Sequence, residues 1–313
     1  MKKVLLSTLS ILFCLNVWAL QKDQYYVVTH NAKDTLWGTL QVPSNVQQPN
    51  LVIIIAGSGP TDRDGNSSQG LQTNAYKMLA DSLEAAGIAS LRYDKRGVGK
   101  SIPHAVQHED QLRFDTYVND VLLWVKQLEK EQGFGKLFLL GHSEGALLAT
   151  LAAQQCKLAG VISVSGAGSP IGQILRQQIA KNAPAYQLQA DTIINTLEKG
   201  QTLQVTTEAL APIFRASIQP YLISWMRYDP AKELAQLKLP LLILQGTADL
   251  QVPVSEAQKL RQACPTAKYY EIEAMNHVLK TVGNDQNANL AAYANPKLPI
   301  DSDLCHAIIA FCQ

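Results

Sequence analysis

The chain has no excess of charge of either sign. Its 313 residues carry 27 Lys and Arg against 26 Asp and Glu, a net charge of +1. No basic stripe is visible, which argues against nucleic acid as a partner. No internal repeat and no low-complexity tract interrupts it. At this length, with 47% hydrophobic residues, the chain can form one large α/β domain with an insertion, or two small domains. A hydrophobic run long enough to span a bilayer is also missing. Val4 to Val17 is 14 residues, against about 20 for a spanning helix. It follows a positive start, Met1-Lys2-Lys3, and ends in Val17-Trp18-Ala19. That pattern predicts a secretory leader over 1–19, cleaved before Leu20. The expectation is an exported protein, periplasmic or secreted, without stable membrane insertion after cleavage; a retained anchor is the alternative. Cys14 follows Phe13 rather than a small residue, which argues against lipidation.

Cysteine is scarce. Four remain beyond the leader: Cys156, Cys264, Cys305 and Cys312. Three full pairings are conceivable, and free thiols are an equally good reading. Cys305 and Cys312 fall on one predicted helix, about 10 Å apart, too far for a bridge.

What is present alternates. Tyr25–Thr29 and Leu36–Val42 read as an antiparallel hairpin turning at 31–34. Leu51–Ile55 is a continuous apolar run, as in a strand buried on both faces. Helix is predicted over Tyr76–Ala86, strand over Ile88–Tyr93, helix over Asp115–Gln132, and strands at Lys136–Leu140 and Val161–Val164. From 169 to 237 the strand signal stops, and Pro184, Pro212, Pro220 and Pro230 divide a helical segment. Strand Leu241–Leu244, helix Ser255–Ala263, strand Lys268–Ile272 and helix Ser302–Phe311 follow. Strand–helix alternation means parallel strands with right-handed crossovers. The predicted organisation is therefore a core of 20–168 and 238–313, with a helical cap of 169–237 inserted between two sheet strands.

One pentapeptide carries chemistry on its face. Gly141-His142-Ser143-Glu144-Gly145 lies between an apolar strand and an Ala- and Leu-rich helix. Strand, sharp turn, helix is the context of a G-x-S-x-G nucleophile elbow. A serine hydroxyl needs a base, usually a histidine oriented by a carboxylate. Of six histidines, His277 follows the last predicted strand, where it can reach Ser143. His142 adjoins the serine and is expected to point away from its oxygen. Asp249, in Gln245-Gly246-Thr247-Ala248-Asp249, stands at the carboxyl end of a strong strand, where sites of open α/β sheets lie. A helix N-cap is the plainer reading of Asp249, and a surface loop residue that of His277. Oxyanion donors are expected from the backbone N–H of Glu144 and of Ser58, in the loop Gly57-Ser58-Gly59-Pro60.

With these residues in place the chain resembles the α/β-hydrolase superfamily over nearly all of 25–313. More narrowly it is similar to bacterial esterases of the serine-aminopeptidase-like and dienelactone-hydrolase-like branch. Their loop reads G-S-G-P-x-D-R-D-G, and residues 57–65 read GSGPTDRDG. Residues 94–101, DKRGVGKS, residues 224–230, SWMRYDP, Glu144 and the Asn276-His277-x-Leu279-Lys280 segment fit the same pattern. The resemblance implies an α/β-hydrolase fold: a mostly parallel, eight-stranded sheet flanked by helices, with a helical cap. It implies a Ser143–Asp249–His277 triad acting through an acyl-enzyme, without metal or organic cofactor. Asp62, Arg63 and Asp64 are expected to form a structural network under the oxyanion loop, a substrate-carboxylate role for Arg63 being the alternative.

Specificity is assigned to the cap. Phe214, Tyr221 and Trp225, with Met226 and Tyr228, are candidates for an apolar acyl pocket; each can equally be a packing residue. The expected activity is hydrolysis of short-chain carboxylic esters, the partner a small-molecule ester. An aminopeptidase or amidase, a thioesterase and a non-catalytic binding module are the alternatives. The natural substrate and the oligomeric state stay open.

Overall fold

A computed structural model describes residues 24–31, 34–101, 109–131, 133–283 and 285–313. The expected leader, His104 and His108 lie outside them. Eight strands form one sheet: β1 (Gln24–Asn31), β2 (Asp34–Gln41), β3 (Leu51–Ile55), β4 (Ala89–Tyr93), β5 (Leu137–His142), β6 (Gly160–Val164), β7 (Leu241–Gly246) and β8 (Lys268–Ile272). Their order is β1-β2-β4-β3-β5-β6-β7-β8. The first two strands form the expected hairpin, and β2 runs antiparallel to β4. From β4 to β8 every neighbouring pair is parallel. The central strands are apolar along their length because helices cover both faces. β8, at one edge, carries exposed residues such as Lys268 and Glu271.

Alternation splits the apolar residues into two cores. Leu51, Ile53 and Ile55 of β3 face one, and Val52 and Ile54 the other. The second core holds α1 (Ala75–Ala85), entered through Ala75, Tyr76 and Leu79. The first holds α2 (Phe114–Glu129) and α3 (Glu144–Ala153). Every residue of α3 is buried. A helix that is apolar all round must be enclosed, and α3 packs between the sheet, α2 and a later helix.

Between β6 and β7 the chain makes α4 (Ile171–Asn182), α5 (Gln187–Glu198), α6 (Ala211–Phe214), α7 (Gln219–Met226) and α8 (Pro230–Ala235). Pro212, Pro220 and Pro230 each stand in the first two positions of a helix, and Pro184 opens a short 3-10 turn. There the missing N–H costs nothing. After β7 come α9 (Val254–Ala263), α10 (Gln286–Ala291) and α11 (Ser302–Cys312). The sequence pattern does not predict α10, which has only six residues and no apolar stripe. Cys156, Cys264, Cys305 and Cys312 are free thiols.

Candidate active site

The site is built where β5 turns into α3. Ser143 has φ 54° and ψ −120°, a conformation rare for a residue with a β-carbon. The flanking glycines are required by space. A β-carbon on Gly141 would meet the Gly145 carbonyl oxygen at 2.0 Å, and one on Gly145 the Ile55 carbonyl oxygen at 2.4 Å. Ser143 N–H donates to Val164 O at 2.9 Å, which ties the turn to β6. Glu144 is the first residue of α3, so its N–H has no acceptor within the helix and faces outward. Ser58, Ser143 and Glu144 border one cavity.

Asp249 and His277 meet. His277 Nδ1 is 2.8 Å from Asp249 Oδ2, and both side chains are buried. Asp249 is no helix cap: α9 begins five residues later and is preceded by Pro253. Its other oxygen accepts from the N–H groups of Gln251 (2.8 Å) and Val252 (2.9 Å), and Gln245 Nε2 donates to Oδ2 at 3.2 Å. Burial alone would raise the Asp249 pKa. The charge and hydrogen bond of the His277 ring, with the two backbone donors, outweigh it and hold the pKa below 3.8. The loops carrying the pair are zipped together. Thr247 N–H donates to Ile272 O and Ala248 N–H to Met275 O, both at 3.0 Å. Asn289 of α10 clamps them from outside: its Nδ2 donates to Ala248 O at 2.7 Å, and its Oδ1 accepts from Asn276 Nδ2 at 3.1 Å.

His142 points away from the serine oxygen and into a buried chain. The Tyr76 hydroxyl accepts from Gly57 N–H at 3.2 Å and lies 2.7 Å from His142 Nδ1. His142 Nε2 lies 2.9 Å from the His277 carbonyl. A carbonyl only accepts, so Nε2 carries the proton and Nδ1 accepts from the phenol. Burial, then the neighbouring His277 ring, lower the His142 pKa to about 3. This neutral ring joins the loop after β3 to the loop of His277. His306, by contrast, is exposed on α11.

The loop after β3 is braced from beneath. Arg63 is 7% exposed. Its Nε and Nη2 donate to Asp94 at 3.1 and 2.5 Å, and its N–H to the same carboxylate at 2.9 Å. Arg92 Nε donates to Asp64 at 2.9 Å, and Asp62 accepts from Asp64 N–H and Asn66 N–H, both at 2.9 Å. These contacts occupy Arg63 within the protein rather than turning it to a ligand. Lys95 Nζ donates to Gly57 O and lies 3.5 Å from Glu144 Oε1.

Two cavities flank the elbow. The one containing Ser143 has about 150 Å³ and is walled by Leu147, Ile171, Ile174, Trp225 and Val252. The second, of about 410 Å³, is bordered by Glu144, Gly59, Lys95, Tyr117, Arg215 and Tyr221. Of the three cap aromatics named from the sequence, Trp225 borders the first and Tyr221 the second. Phe214 requires a correction. It is fully buried in the apolar core, bordering neither cavity, because α6 turns it inward under the inserted helices. Met226 and Tyr228 also border neither.

The sheet order, the strained serine and the buried Asp–His pair define the class: an α/β serine hydrolase. Residues 70–280 match the family described as serine aminopeptidase, S33, and the chain belongs to that family. A curated relative, esterase EstD of Thermotoga maritima, is 24% identical over 247 residues, 77% of this chain. The match spans 57% of that relative's length. Among solved structures, Est1E of Butyrivibrio proteoclasticus with bound ferulic acid superposes with a TM-score of 0.58 at 19% identity, covering 87% of this chain and 96% of the other. An esterase of Pyrococcus furiosus gives 0.56 at 16%, covering 82% and 84%. Both likenesses are of fold.

Proposed function

We propose that the protein is a carboxylesterase that cleaves short-chain acyl esters through an acyl-enzyme on Ser143. His277 takes the Ser143 proton as the oxygen attacks the ester carbonyl. The oxyanion that forms accepts from the N–H groups of Ser58 and Glu144. The tetrahedral intermediate collapses, the C–O bond to the alcohol breaks, and His277 returns the proton to the leaving oxygen. Water repeats the sequence on the acyl-enzyme, releasing the acid and freeing Ser143. Asp249 holds the His277 tautomer with Nδ1 protonated and stabilises the imidazolium.

The observation that carries this reading is the 2.8 Å His277–Asp249 contact, reached through loops zipped beside a serine whose backbone is strained in the way a nucleophile elbow demands. Ser143→Ala is expected to lower ester hydrolysis by about four orders of magnitude or more and to abolish labelling by a fluorophosphonate. Full labelling of that variant would move the nucleophile elsewhere. Aminoacyl anilides, assayed beside p-nitrophenyl esters, test the peptidase reading that the family description suggests; faster anilide cleavage would favour it.

A further inference from the structure

We propose that Lys95 is a positioning residue of the oxyanion hole: its ammonium group holds the Gly57 carbonyl and so aims the Ser58 N–H at the substrate oxygen. The inference rests on Ser143 being the nucleophile and on Ser58 supplying an oxyanion donor. Gly57 O and Ser58 N–H belong to one peptide unit. That peptide is trans, so the two groups point in opposite directions across its plane. Whatever fixes the carbonyl fixes the donor. Lys95 Nζ, buried, donates to Gly57 O. The flanking groups are tied as well. Gly57 N–H donates to the Tyr76 hydroxyl and Thr61 Oγ1 to Ser58 O, both at 3.2 Å. Ser58 N–H meets no acceptor among the described residues. The loop lies directly on the nucleophile: a β-carbon on Gly57 would meet Ser143 Cβ at 3.1 Å, and Ser58 and Ser143 border the same cavity.

The charge on Lys95 has a second consequence. Glu144 offers the other donor through its backbone, and its carboxylate lies 3.5 Å from Lys95 Nζ, with both side chains buried. A carboxylate buried one residue from the nucleophile opposes the negative charge that develops on the substrate oxygen, unless a cation offsets it. Lys95 therefore serves both donors: it orients one and neutralises the carboxylate attached to the other. The Tyr117 ring, 5.4 Å from Nζ, flanks the ammonium group. Stability alone does not require these charges, because an apolar pair of similar volume is often neutral or stabilising in place of a buried ion pair. Hydrogen bonds in series polarise one another, so an ammonium group on Gly57 O also strengthens Ser58 N–H as a donor.

The test measures kcat and KM on one p-nitrophenyl ester, and the Ki of a trifluoromethyl ketone, whose adduct on Ser143 carries the oxyanion. Circular dichroism verifies that each variant is folded. Lys95→Met keeps the length of the side chain and removes the donor. It is expected to lower kcat about a hundredfold, as loss of an oxyanion donor does, and to raise the Ki about as much, with KM changed less than about threefold. This variant leaves Glu144 buried and unpaired, which threatens its folding. The double variant Lys95→Met, Glu144→Gln removes both charges and is free of that defect. Its Gly57 carbonyl is still unheld, so its kcat is expected to stay at least about tenfold below wild type. Glu144→Gln alone keeps Lys95 on Gly57 O and is expected to lose less than the double variant. A smaller loss in the double variant would reduce Lys95 to a counter-charge for Glu144 and overturn the assignment. So would an equal loss in Glu144→Gln, a Lys95→Met defect confined to KM, or an unchanged Ki. Failure of the esterase reading looks different: Ser143→Ala then stays active and the ketone does not inhibit the wild type.

Discussion

Ser143 is served by residues that never touch its oxygen. The chain Gly57–Tyr76–His142–His277 fixes two loops with three hydrogen bonds. Tyr76→Phe removes one phenol and strands both the Gly57 N–H and His142 Nδ1. Buried groups left in that way cost about 1–3 kcal/mol. We expect a lower Tm and a fall in kcat larger than the rise in KM, since the geometry lost is that of the reacting groups; steady-state kinetics on one p-nitrophenyl ester reads it. The same ring has a pH signature. The His142 pKa drops from 6.5 to about 3 on folding, so below 6.5 the unfolded chain binds the extra proton. Stability from this group is complete above pH 6.5 and is lost as pH falls towards 3. His142→Gln should therefore flatten the Tm-against-pH slope between those values, with Tm measured at half-unit steps. An unchanged slope would mean that other groups carry it. The serine, the aspartate and the histidine were legible because each follows a strand and two carry local motifs. Tyr76 was not: its partner is 66 residues away, and a tyrosine at the start of an amphipathic helix reads as core. The cap aromatics were indistinguishable for the same reason, which is how Phe214 was misplaced.

The elbow shows why element type is more legible than element order. Apolar runs of four to six residues with glycine at their ends gave most strands to within a residue or two. The position of β3 between β4 and β5 comes from crossover handedness and helix packing, which no single stretch encodes. Asn289 escaped notice because α10 has no periodicity, although it clamps the loops of Asp249 and His277 together. The elbow itself tolerates nothing larger than glycine. Gly145→Ala must push a methyl group to within 2.4 Å of the Ile55 carbonyl, so β3 and α3 have to separate. Overpacking of this kind costs about 1–3 kcal/mol or more. Soluble Gly145→Ala protein should melt several degrees lower in calorimetry and hydrolyse esters poorly; wild-type Tm and rate would contradict the packing account.

At the scale of the whole molecule, the inserted helices are fastened to the core chiefly by aromatic packing. Phe114, fully buried on α2, stacks on Trp225 at 5.2 Å and touches Tyr221 and Tyr228 at 5.9 and 5.7 Å. The ion pairs Arg215–Glu109 and Arg227–Asp115 lie at the exposed margin and contribute little. Phe114→Ala is thus expected to cost about 3–5 kcal/mol. Raising salt to molar levels should shift Tm only slightly, since screening acts on the marginal pairs alone. A large salt effect with a mild Phe114→Ala effect would reverse that ranking.

The hydrogen-bonded link from Gly57 through Tyr76 and His142 to the His277 carbonyl also bears on how the molecule matures. Its ends lie 220 residues apart in the chain, and the strands between them add non-local parallel pairings, which form slowly. A partly refolded chain can hold Ser143 on its elbow while the segment bearing His277 is still undocked. After dilution from denaturant, recovery of ester hydrolysis should lag behind the return of helical circular dichroism. Turnover would then be a clock for the last docking event of the fold.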